Sequence, residues 1–321
     1  MKLGIIGAGK IVHDFLTVAN SISDLQLVAI SAPPQNLPEL KKLQAKYGFK
    51  KVYTDNQELL LDSNVDTVYV AVPNSLHYEV CKESLKYGKN VICEKPMVYT
   101  VTQAKELKRI ADTKHVMLFE AITNLYLENF KEIKSRLKLL GPIHIVNLNY
   151  TQLSTRYPEF LKGHLLPVFD PKKGGGALMD LGIYVIHLTV ALFGMPDEVK
   201  YFGNYAQGTD TSGVIVLKYS DKICNLIVAK DSYAEPFSFI EGEKGSIRIN
   251  GLINQLPSFS LELKGKDVQD FNFNKHKHRM VSEFETFIKC LNMCDFEAEN
   301  QAFTQSIQAL RVLQEAKASQ R

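Results

Sequence analysis

The fold is decided by the first twelve residues, MKLGIIGAGKIV (residues 1–12), in which an apolar segment runs into a glycine turn. A strand that ends in such a turn and leads into a helix is typical of the start of a dinucleotide-binding fold. There the first glycine, Gly7, permits the tight turn, and the second, Gly9, lets a pyrophosphate approach the backbone. The third glycine of the fingerprint is missing, because Val12 occupies its position. The position of the turn predicts nucleotide binding, and a turn that binds nothing is the alternative.

Residues 1–120 alternate apolar strands with amphipathic helices. The strand patterns are KLGIIG, LQLVAI, DTVYVAV, NVIC and HVMLFE. Strands that are almost continuously apolar indicate a parallel sheet covered on both faces, and right-handed crossovers make it doubly wound. We therefore predict an N-terminal Rossmann domain over residues 1–120.

In residues 121–321 strands no longer alternate with helices, and strand patterns such as VKYFGNYAQ, SGVIVLKYS and KICNLIVAK follow one another. Two amphipathic helices end the chain. Successive strands with turn residues between them favour an antiparallel sheet. We predict a second α/β domain for substrate binding and oligomerisation, with a large, mostly antiparallel sheet that is open on one face. A chain of 321 residues is long enough for two domains.

The composition excludes several classes of protein. The chain is 45% hydrophobic and 23% charged with a net charge of +3, which gives no reason to expect nucleic acid or a membrane surface as a partner. No apolar run reaches the ~18 residues of a membrane span. Five cysteines lie in apolar segments, which favours reduced thiols in a cytoplasmic protein. Cys290 and Cys294 are one helical turn apart, but no second pair completes a zinc site, so we expect no metal.

The end of the second strand should distinguish NAD from NADP. An acidic residue there would hold the ribose hydroxyls of NAD, and an arginine would hold the phosphate of NADP. Residues 30–36 read ISAPPQN and contain neither. Ser31 could bind either cofactor, and Lys41 or Lys42 could reach a phosphate. The choice between NAD and NADP stays open.

A lysine follows the fourth strand pattern in the segment NVICEKPM. Lys95 is flanked by Glu94 and Pro96, and a proline restricts the residue before it. Ligands of such sheets bind at the carboxyl ends of the strands, where Lys95 could donate to a substrate oxygen and favour an alkoxide. The alternative is a surface turn in which Glu94 is the ion pair of Lys95.

The predicted cofactor contacts lie on the turns that follow the strands of the first domain. They are Gly7, Ala8, Gly9, Lys10, Ile11, Ser31, Val72, Pro73, Asn74, His77, Glu94 and Lys95.

A second glycine-rich stretch, GGGALMDLGIYVIH, covers residues 174–187. It is not a phosphate loop, because it lacks the lysine-serine ending and does not follow the first strand. On a helix Asp180 and Tyr184 would share one face, with His187 one turn further. Glycines would let the chain pass close to a ligand. The stretch is either part of an active site or an ordinary buried helix.

Residues 72–97, VPNSLHYEVCKESLKYGKNVICEKPM, resemble the signature of the Gfo/Idh/MocA family, which includes glucose–fructose oxidoreductase and inositol dehydrogenase. GAGKI at the start, LFEA near Glu120 and GGGALMDLGIY extend the resemblance over nearly the whole chain. The resemblance implies a Rossmann domain, then an α/β domain with an open sheet that often forms dimers. It implies a small-molecule substrate and a homodimer or homotetramer through the C-terminal sheet.

The resemblance also implies roles for the candidate catalytic residues. The family commonly has a histidine at position 184, and tyrosine there resembles the glucose–fructose oxidoreductase and dihydrodiol dehydrogenase branches. Hydride would pass between the substrate carbon and the nicotinamide while Tyr184 exchanges the proton. Lys95 would polarise the oxygen and lower the tyrosine pKa from ~10. Asp180 would orient the substrate or Lys95, and His187 is either a packed helix residue or a support for the site.

These features predict an NAD(P)-dependent oxidoreductase that acts on a sugar, a cyclitol or another small polyol or carbonyl compound of carbohydrate metabolism. A non-catalytic dinucleotide-binding regulator of the same fold is the alternative. A further one is an enzyme that uses tightly held NAD for transient oxidation during glycoside cleavage. Related proteins of the tyrosine branch often have an arginine and a proline where this chain has Leu125 and Glu128, so their substrates are not transferred.

Two polar segments have weaker signals. Residues 156–172 contain four candidates for substrate contacts, for which solvated loop residues are the favoured alternative: Arg156, Tyr157, His164 and Lys172. The segment HKHR, residues 276–279, precedes a helix and is predicted to be a solvated loop.

Overall fold

A computed structural model describes residues 1–320. The chain forms two compact units. The first contains Met1–Ala121 and Met280–Thr304, and the second contains Ile122–Arg279 and the chain from Gln305 onward.

The first unit is built on a parallel sheet of six strands. The strands are β1 (Lys2–Ile6), β2 (Gln26–Ser31), β3 (Lys51–Tyr53), β4 (Thr67–Val70), β5 (Asn90–Glu94) and β6 (Leu118–Ala121). Their order is β3-β2-β1-β4-β5-β6, which is the doubly wound order of the Rossmann fold. The predicted fold class of this part is confirmed.

Helices connect these strands. They are α1 (Lys10–Ala19), α2 (Leu37–Tyr47), α3 (Asn56–Leu61), α4 (His77–Lys86) and α5 (Val101–Lys114). Apart from β3, the strands are almost fully buried, which explains why their sequences read as continuous apolar runs. The carboxyl ends of β1, β2, β4 and β5 lie at one edge, and the predicted cofactor residues lie at or after these ends.

The second unit contains a sheet of eight strands. They are β7 (Ile143–Thr151), β8 (Glu198–Ala206), β9 (Thr209–Lys218), β10 (Ile223–Ala229), β11 (Ser238–Gly242), β12 (Gly245–Asn250), β13 (Ser258–Leu263) and β14 (Gln269–Phe271). Their order is β14-β13-β12-β11-β7-β10-β9-β8, and only the β7–β10 pair is parallel. The prediction of a large, mostly antiparallel sheet is confirmed.

The remaining helices are α6 (Glu128–Arg136), α7 (Tyr157–Leu161), α8 (Ile183–Phe193), α9 (Arg279–Met293) and α10 (Phe296–Ala318). The segment Pro171–Phe193, which includes α8, is long and apolar enough to cross a membrane, but 78% of its apolar window is buried inside the protein. Such burial is typical of the core helix of a globular domain.

The sequence predicts one domain boundary at residue 120. The observed boundary differs, because α9 packs in the first unit. Phe284 stacks on Phe15 with 4.2 Å between ring centroids and meets Tyr69 edge-on at 5.3 Å. At the start of α10, the carboxylate of Glu299 lies 2.7 Å from the ammonium of Lys108 on α5. Aromatic packing and a buried ion pair therefore attach a late segment of the chain to the Rossmann unit.

Candidate active site

The first glycine turn has the two properties that a dinucleotide requires. Gly7 has φ +127°, and a Cβ there would lie 2.3 Å from the carbonyl oxygen of Ala71. Only glycine fits this crossing of β1 and β4. A Cβ on Gly9 would meet nothing within 4 Å, so this glycine borders open space. The turn offers a surface that a pyrophosphate could approach.

Helix α1 begins directly after this turn. Gly9 is its N-cap, no side chain caps its first N–H groups, and its first turn has no acidic residue. Val12, at the position of the missing third glycine, is fully buried in the unit's core. Free N–H groups and the positive end of a helix are suited to phosphate oxygens. The turn therefore fits a dinucleotide despite the departure from the fingerprint.

The remaining predicted cofactor residues of the turns are partly or largely accessible. Lys10 and Pro73 are exposed, and the half-buried ones are Ala8, Ile11, Val72, Asn74 and Lys95. These side chains remain candidates for direct contact with a cofactor.

Ser31 does not fit the predicted direct contact. Its side chain is fully buried at the end of β2, and its hydroxyl donates a 2.9 Å hydrogen bond to Oδ1 of Asn56. The hydroxyl therefore fixes the start of α3 rather than facing a ribose.

Lys95 follows β5, and buried groups hold the chain on either side of it. Glu94 is 9% exposed and accepts a 2.5 Å hydrogen bond from the hydroxyl of Tyr69 on β4. After Lys95, the backbone N–H of Met97 donates to Oε1 of Glu120 on β6 at 2.9 Å. The lysine thus extends from a backbone that two carboxylates anchor to the sheet.

His77 is a third anchor of this backbone. Its Nδ1 lies 3.0 Å from the carbonyl oxygen of Pro96, and its Nε2 lies 3.0 Å from that of Val72. The ring is fully buried, so it joins the loops after β4 and β5 from behind. The predicted direct contact of His77 with a cofactor does not fit this burial, and we assign the ring a positioning role.

The second glycine stretch contains an irregular helix. Residues Leu178–Gly182 form a π-helical turn that continues into α8. Such turns are rare and frequently occur at functional sites. Asp180 lies within the turn and Tyr184 follows at the start of α8. The stretch is a helix, as the sequence predicts, but its first turn is wider than an α-helix.

Asp180 is paired with a lysine that sequence reasoning did not find. Its Oδ2 accepts a 2.8 Å hydrogen bond from Nζ of Lys230, directly after β10. The Asp180 side chain is 31% exposed and that of Lys230 only 3%. The carboxylate therefore has an ion-pair partner within its own unit that the sequence did not predict.

Tyr184 is held from two sides. Its ring meets that of Tyr150 on β7 edge-on, with 5.6 Å between centroids. Its backbone carbonyl accepts a 3.1 Å hydrogen bond from the amide of Asn124. The side chain is 7% exposed. The phenol is therefore a positioned group in a nearly closed environment.

His187 is fully buried one turn along α8, and its backbone carbonyl accepts a 3.2 Å hydrogen bond from Nε2 of Gln305. This burial favours the alternative of a packed helix histidine over direct contact with a substrate.

A buried aspartate anchors the π turn. Oδ2 of Asp210, at the start of β9, accepts hydrogen bonds from the N–H of Leu178 at 2.7 Å and from the hydroxyl of Tyr201 at 3.0 Å. Burial raises the pKa of Asp210, while these hydrogen bonds lower it. A Cβ on Gly176 would collide with this carboxylate at 2.0 Å. The third glycine of the stretch therefore makes room for Asp210.

The loop candidates lie largely on the surface. Arg156 and Lys172 are exposed, and Nδ1 of His164 lies 2.8 Å from the surface carboxylate of Glu159. Tyr157 packs on Phe169, with 5.9 Å between ring centroids. These positions favour the solvated-loop alternative. Residues 276–279 are exposed or half-buried and line a cleft of about 330 Å³ in the second unit.

Two family models match the chain. Residues 1–122 match the oxidoreductase family with an NAD-binding Rossmann fold, and residues 136–248 match the GFO/IDH/MocA C-terminal domain. The first match contains the six-stranded sheet, and the second contains β7 to β11.

Several characterised proteins are similar to the chain. The scyllo-inositol 2-dehydrogenase (NADP(+)) of Bacillus subtilis is 31% identical over 319 residues, which cover 99% of this chain and 96% of that enzyme. The trans-1,2-dihydrobenzene-1,2-diol dehydrogenase of Xenopus laevis is 29% identical over 281 residues, 84% of this chain and 80% of that enzyme.

A solved structure confirms the fold over the whole chain. KijD10, a 3-ketoreductase from Actinomadura kijaniata in complex with NADP and TDP-benzene, superposes with a TM-score of 0.85 at 18% identity, covering 99% of this chain and 97% of that one. With its Rossmann sheet, its open turn at Gly9 and these relatives, the chain belongs to the Gfo/Idh/MocA family of NAD(P)-dependent oxidoreductases.

Proposed function

We propose that this oxidoreductase transfers a hydride between NAD(P) and a polyol or the corresponding ketone, with cyclitols and sugars as the substrate class. Asp180 and Tyr184 carry the proposal. A π turn presents a partly exposed carboxylate, and a nearly closed phenol follows one turn later. A carboxylate can accept hydrogen bonds from neighbouring hydroxyls of a polyol, while a phenol can exchange a proton with the reacting oxygen. The similarity to scyllo-inositol 2-dehydrogenase supports the same substrate class.

The proposed chemistry gives each of these groups a separate task. The bound nicotinamide supplies or accepts the hydride. Tyr184 gives its phenolic proton to the carbonyl oxygen during reduction and takes it back during oxidation. Lys95 donates a hydrogen bond to the same oxygen and stabilises its developing negative charge. Asp180 accepts hydrogen bonds from adjacent substrate hydroxyls and so orients the reacting carbon.

Turnover of the purified protein tests this proposal. NADPH formation is followed with scyllo-inositol and NADP⁺, in parallel with NAD⁺ and with trans-1,2-dihydrobenzene-1,2-diol. We expect Tyr184→Phe and Lys95→Met each to lower kcat by about 100-fold or more, because each removes a group that acts on the reacting oxygen. Tight binding of NADPH without turnover of any polyol or ketone would contradict the proposal and favour a dinucleotide-binding regulator.

Matched controls separate chemistry from folding. Tyr233→Phe removes a hydroxyl from a side chain that is 77% exposed, and Lys266→Met removes an exposed ammonium. Both should keep turnover within about twofold, since surface substitutions away from special features are nearly neutral. A loss of activity in Tyr184→Phe that the exposed variant Tyr233→Phe shared would argue against a specific proton donor.

We further infer that the open face of the eight-stranded sheet binds a second copy of the chain. On β9 the buried residues Ile215 and Leu217 alternate with half-buried Val214 and Val216. Phe202 on the adjacent β8 is 65% exposed. A sheet face with apolar side chains toward solvent is suited to a symmetric partner of the same kind.

The molar mass in solution tests the homo-oligomer. Light scattering after size exclusion should give a multiple of the 36.2 kDa chain, and Phe202→Asp should shift the protein toward monomer. Leu61→Asp, an exposed leucine in the first unit, is the matched control and should not change the mass. A monomeric wild-type protein at micromolar concentration would contradict this inference. A cytoplasmic location also stays a prediction, which cell fractionation would test.

A further inference from the structure

Lys230 is the most unusual cation in the second unit. It follows β10, where its backbone N–H donates to the carbonyl of Thr211 at 2.8 Å and its carbonyl accepts from the N–H of Ser154 at 2.9 Å. Its side chain is 3% exposed. A lysine ammonium is almost never buried to this extent unless it is paired. The two backbone hydrogen bonds fix the position of its Cα, and burial restricts the conformation of its side chain.

The buried ammonium has partners of three kinds. It donates hydrogen bonds of 2.8 Å to Oδ2 of Asp180 and of 2.8 Å to the carbonyl oxygen of Val168. It also lies 5.0 Å from the ring centroid of Phe169, within the range of a cation–π interaction. Because Asp180 contributes the negative charge among these contacts, it balances a charge that would otherwise be costly to bury.

The surroundings of this pair are themselves tied to β9. The hydroxyl of Thr209 donates to the carbonyl of Phe169 at 2.6 Å, and Asp210 accepts from the N–H of Leu178 at 2.7 Å. The segment under the ammonium and the turn that carries Asp180 are thus attached to neighbouring residues of one strand. The pair lies in a rigid frame and is unlike a mobile surface salt bridge.

We propose that Lys230 is a positioning residue, which fixes the partly exposed carboxylate of Asp180 so that this group can orient the hydroxyls of the substrate. The inference rests on the proposed function and extends it to a residue outside the predicted site. Lys230 does not touch the reacting atoms. It acts through Asp180, whose carboxylate it holds by the 2.8 Å hydrogen bond to Oδ2.

A double-mutant cycle tests the proposal with scyllo-inositol and NADP⁺. Lys230→Met, Asp180→Asn and the double variant are compared with the wild type. We expect Lys230→Met to lower kcat/KM by about 10- to 100-fold, while the same substitution in the Asp180→Asn background should change it by less than about threefold. Lys230→Arg, which keeps the charge, should recover most of the loss. Independent, multiplying effects, or a Lys230→Met variant within twofold of wild type, would overturn the proposal.

A second buried lysine supplies the control for a merely structural effect. Lys108 is 8% exposed and pairs with the fully buried Glu299 in the first unit. Lys108→Met should lower the melting temperature as Lys230→Met does, but kcat/KM measured well below both melting temperatures should stay within about twofold of wild type. Equal catalytic losses in both lysine variants would show that Lys230 acts only through stability, against the proposal.

Folding and cofactor binding of the variants are measured in separate experiments. NADPH affinity, reported by nucleotide fluorescence, should be unchanged in every variant of the cycle. If Lys230→Met does not fold, Lys230→Gln replaces it in the same cycle with the same decision rule, since its amide can still donate to Val168.

An inactive wild-type protein would contradict the proposed function alone. The unfolding free energies of the same four proteins then decide the Lys230–Asp180 pair. Non-additive effects support the positioning contact, and additive effects overturn it.

Discussion

Nδ1 of His77 lies 3.0 Å from the carbonyl oxygen of Pro96, the residue that follows Lys95. The other ring nitrogen lies 3.0 Å from the carbonyl oxygen of Val72. One buried imidazole thereby joins the loops after β4 and β5, and the backbone around the candidate catalytic lysine depends on it. A histidine that sequence reasoning assigned to the cofactor is instead part of the support for Lys95.

Replacing this histidine should damage stability and activity together. We expect His77→Ala to lower the free energy of unfolding by about 2–4 kcal/mol, because it removes a packed ring and leaves the carbonyl to which the neutral ring donates without its donor. Activity should fall about tenfold or more as the Lys95 backbone relaxes. Urea unfolding and steady-state kinetics measure the two effects, with His144→Ala, an exposed histidine, as control. Full activity in His77→Ala would contradict the support role.

The same ring should make stability depend on pH. Burial lowers the pKa of His77, while its two carbonyl contacts and Glu120 raise it and Lys95 lowers it. The ring is neutral in the folded protein, and its pKa in the unfolded chain is about 6.5. The stabilisation that the neutral ring gives to the fold is therefore present above about pH 6.5. It is lost as the pH falls from there through the lowered folded value. Unfolding at pH 7.5 and at pH 5.5 should show a smaller pH effect in His77→Gln than in the wild type, and an equal effect would refute the assignment.

The two glycines of the first turn should respond in opposite ways to substitution. Gly7→Ala places a Cβ 2.3 Å from the Ala71 carbonyl at φ +127°. We expect it to destabilise the protein by about 2 kcal/mol or more. Gly9→Val points its side chain into open space, so stability should change by less than about 1 kcal/mol while the Kd for NADPH rises about tenfold or more. Thermal unfolding and fluorescence titration separate the two cases. Unchanged NADPH affinity in Gly9→Val would place the cofactor elsewhere.

The fold could be predicted to the extent that its strands are apolar and its turns carry glycine. The parallel sheet follows from buried strands such as β4 and β5, whose residues are almost all apolar. The short strand β3, KVY, was missed because its residues are exposed or half-buried and give no apolar run. The placement of α9 in the first unit was missed for another reason. Its amphipathic pattern shows that one face is buried but not against which unit.

The candidate site could be predicted only where a residue follows a recognisable turn. Lys95, Asp180 and Tyr184 lie in short motifs with their own spacing, and the structure puts each on an anchored segment. Lys230 is hydrogen-bonded to Asp180 although the two residues are 50 positions apart in the sequence. No local pattern connects them, because the end of β10 meets the π turn only in the folded sheet. A lysine at the end of an apolar strand, in VAKDS, was the only signal.

Two substitutions of Asp210 should distinguish the effect of its charge on stability from the effect of its hydrogen bonds. Burial disfavours the charged form of this carboxyl and raises its pKa. Asp210→Asn should therefore cost only about 1 kcal/mol, because an amide oxygen can still accept from the N–H of Leu178. Asp210→Ala should cost about 3 kcal/mol, since it leaves that N–H without an acceptor and removes the shorter of the two hydrogen bonds of the Tyr201 hydroxyl. Urea unfolding of the two variants provides the comparison, and equal losses would show that the charge is what matters.

Ser31 was predicted to contact the cofactor, but its buried position does not fit that contact. At the end of the second strand it occupies the region that commonly distinguishes NAD from NADP. Its hydroxyl, however, is fully buried and donates to Asn56 at 2.9 Å. Ser31→Ala should therefore keep the ratio of NADPH to NADH affinity within about twofold while lowering stability by about 1 kcal/mol, the net contribution of one hydrogen bond.

Fluorescence titration with both reduced cofactors measures that ratio, and Asn56→Ala, which removes the same hydrogen bond from its other end, is the matched variant. Both should show a similar loss of stability and no change of preference. A large change of the ratio in Ser31→Ala alone would mean that the hydroxyl leaves Asn56 when the cofactor binds and recognises its ribose. Discrimination would then depend on a rearrangement of the start of α3. If the ratio holds in both variants, the exposed residues around Lys10, the 33–36 turn and Lys41 or Lys42 stay candidates for recognising the ribose or its phosphate.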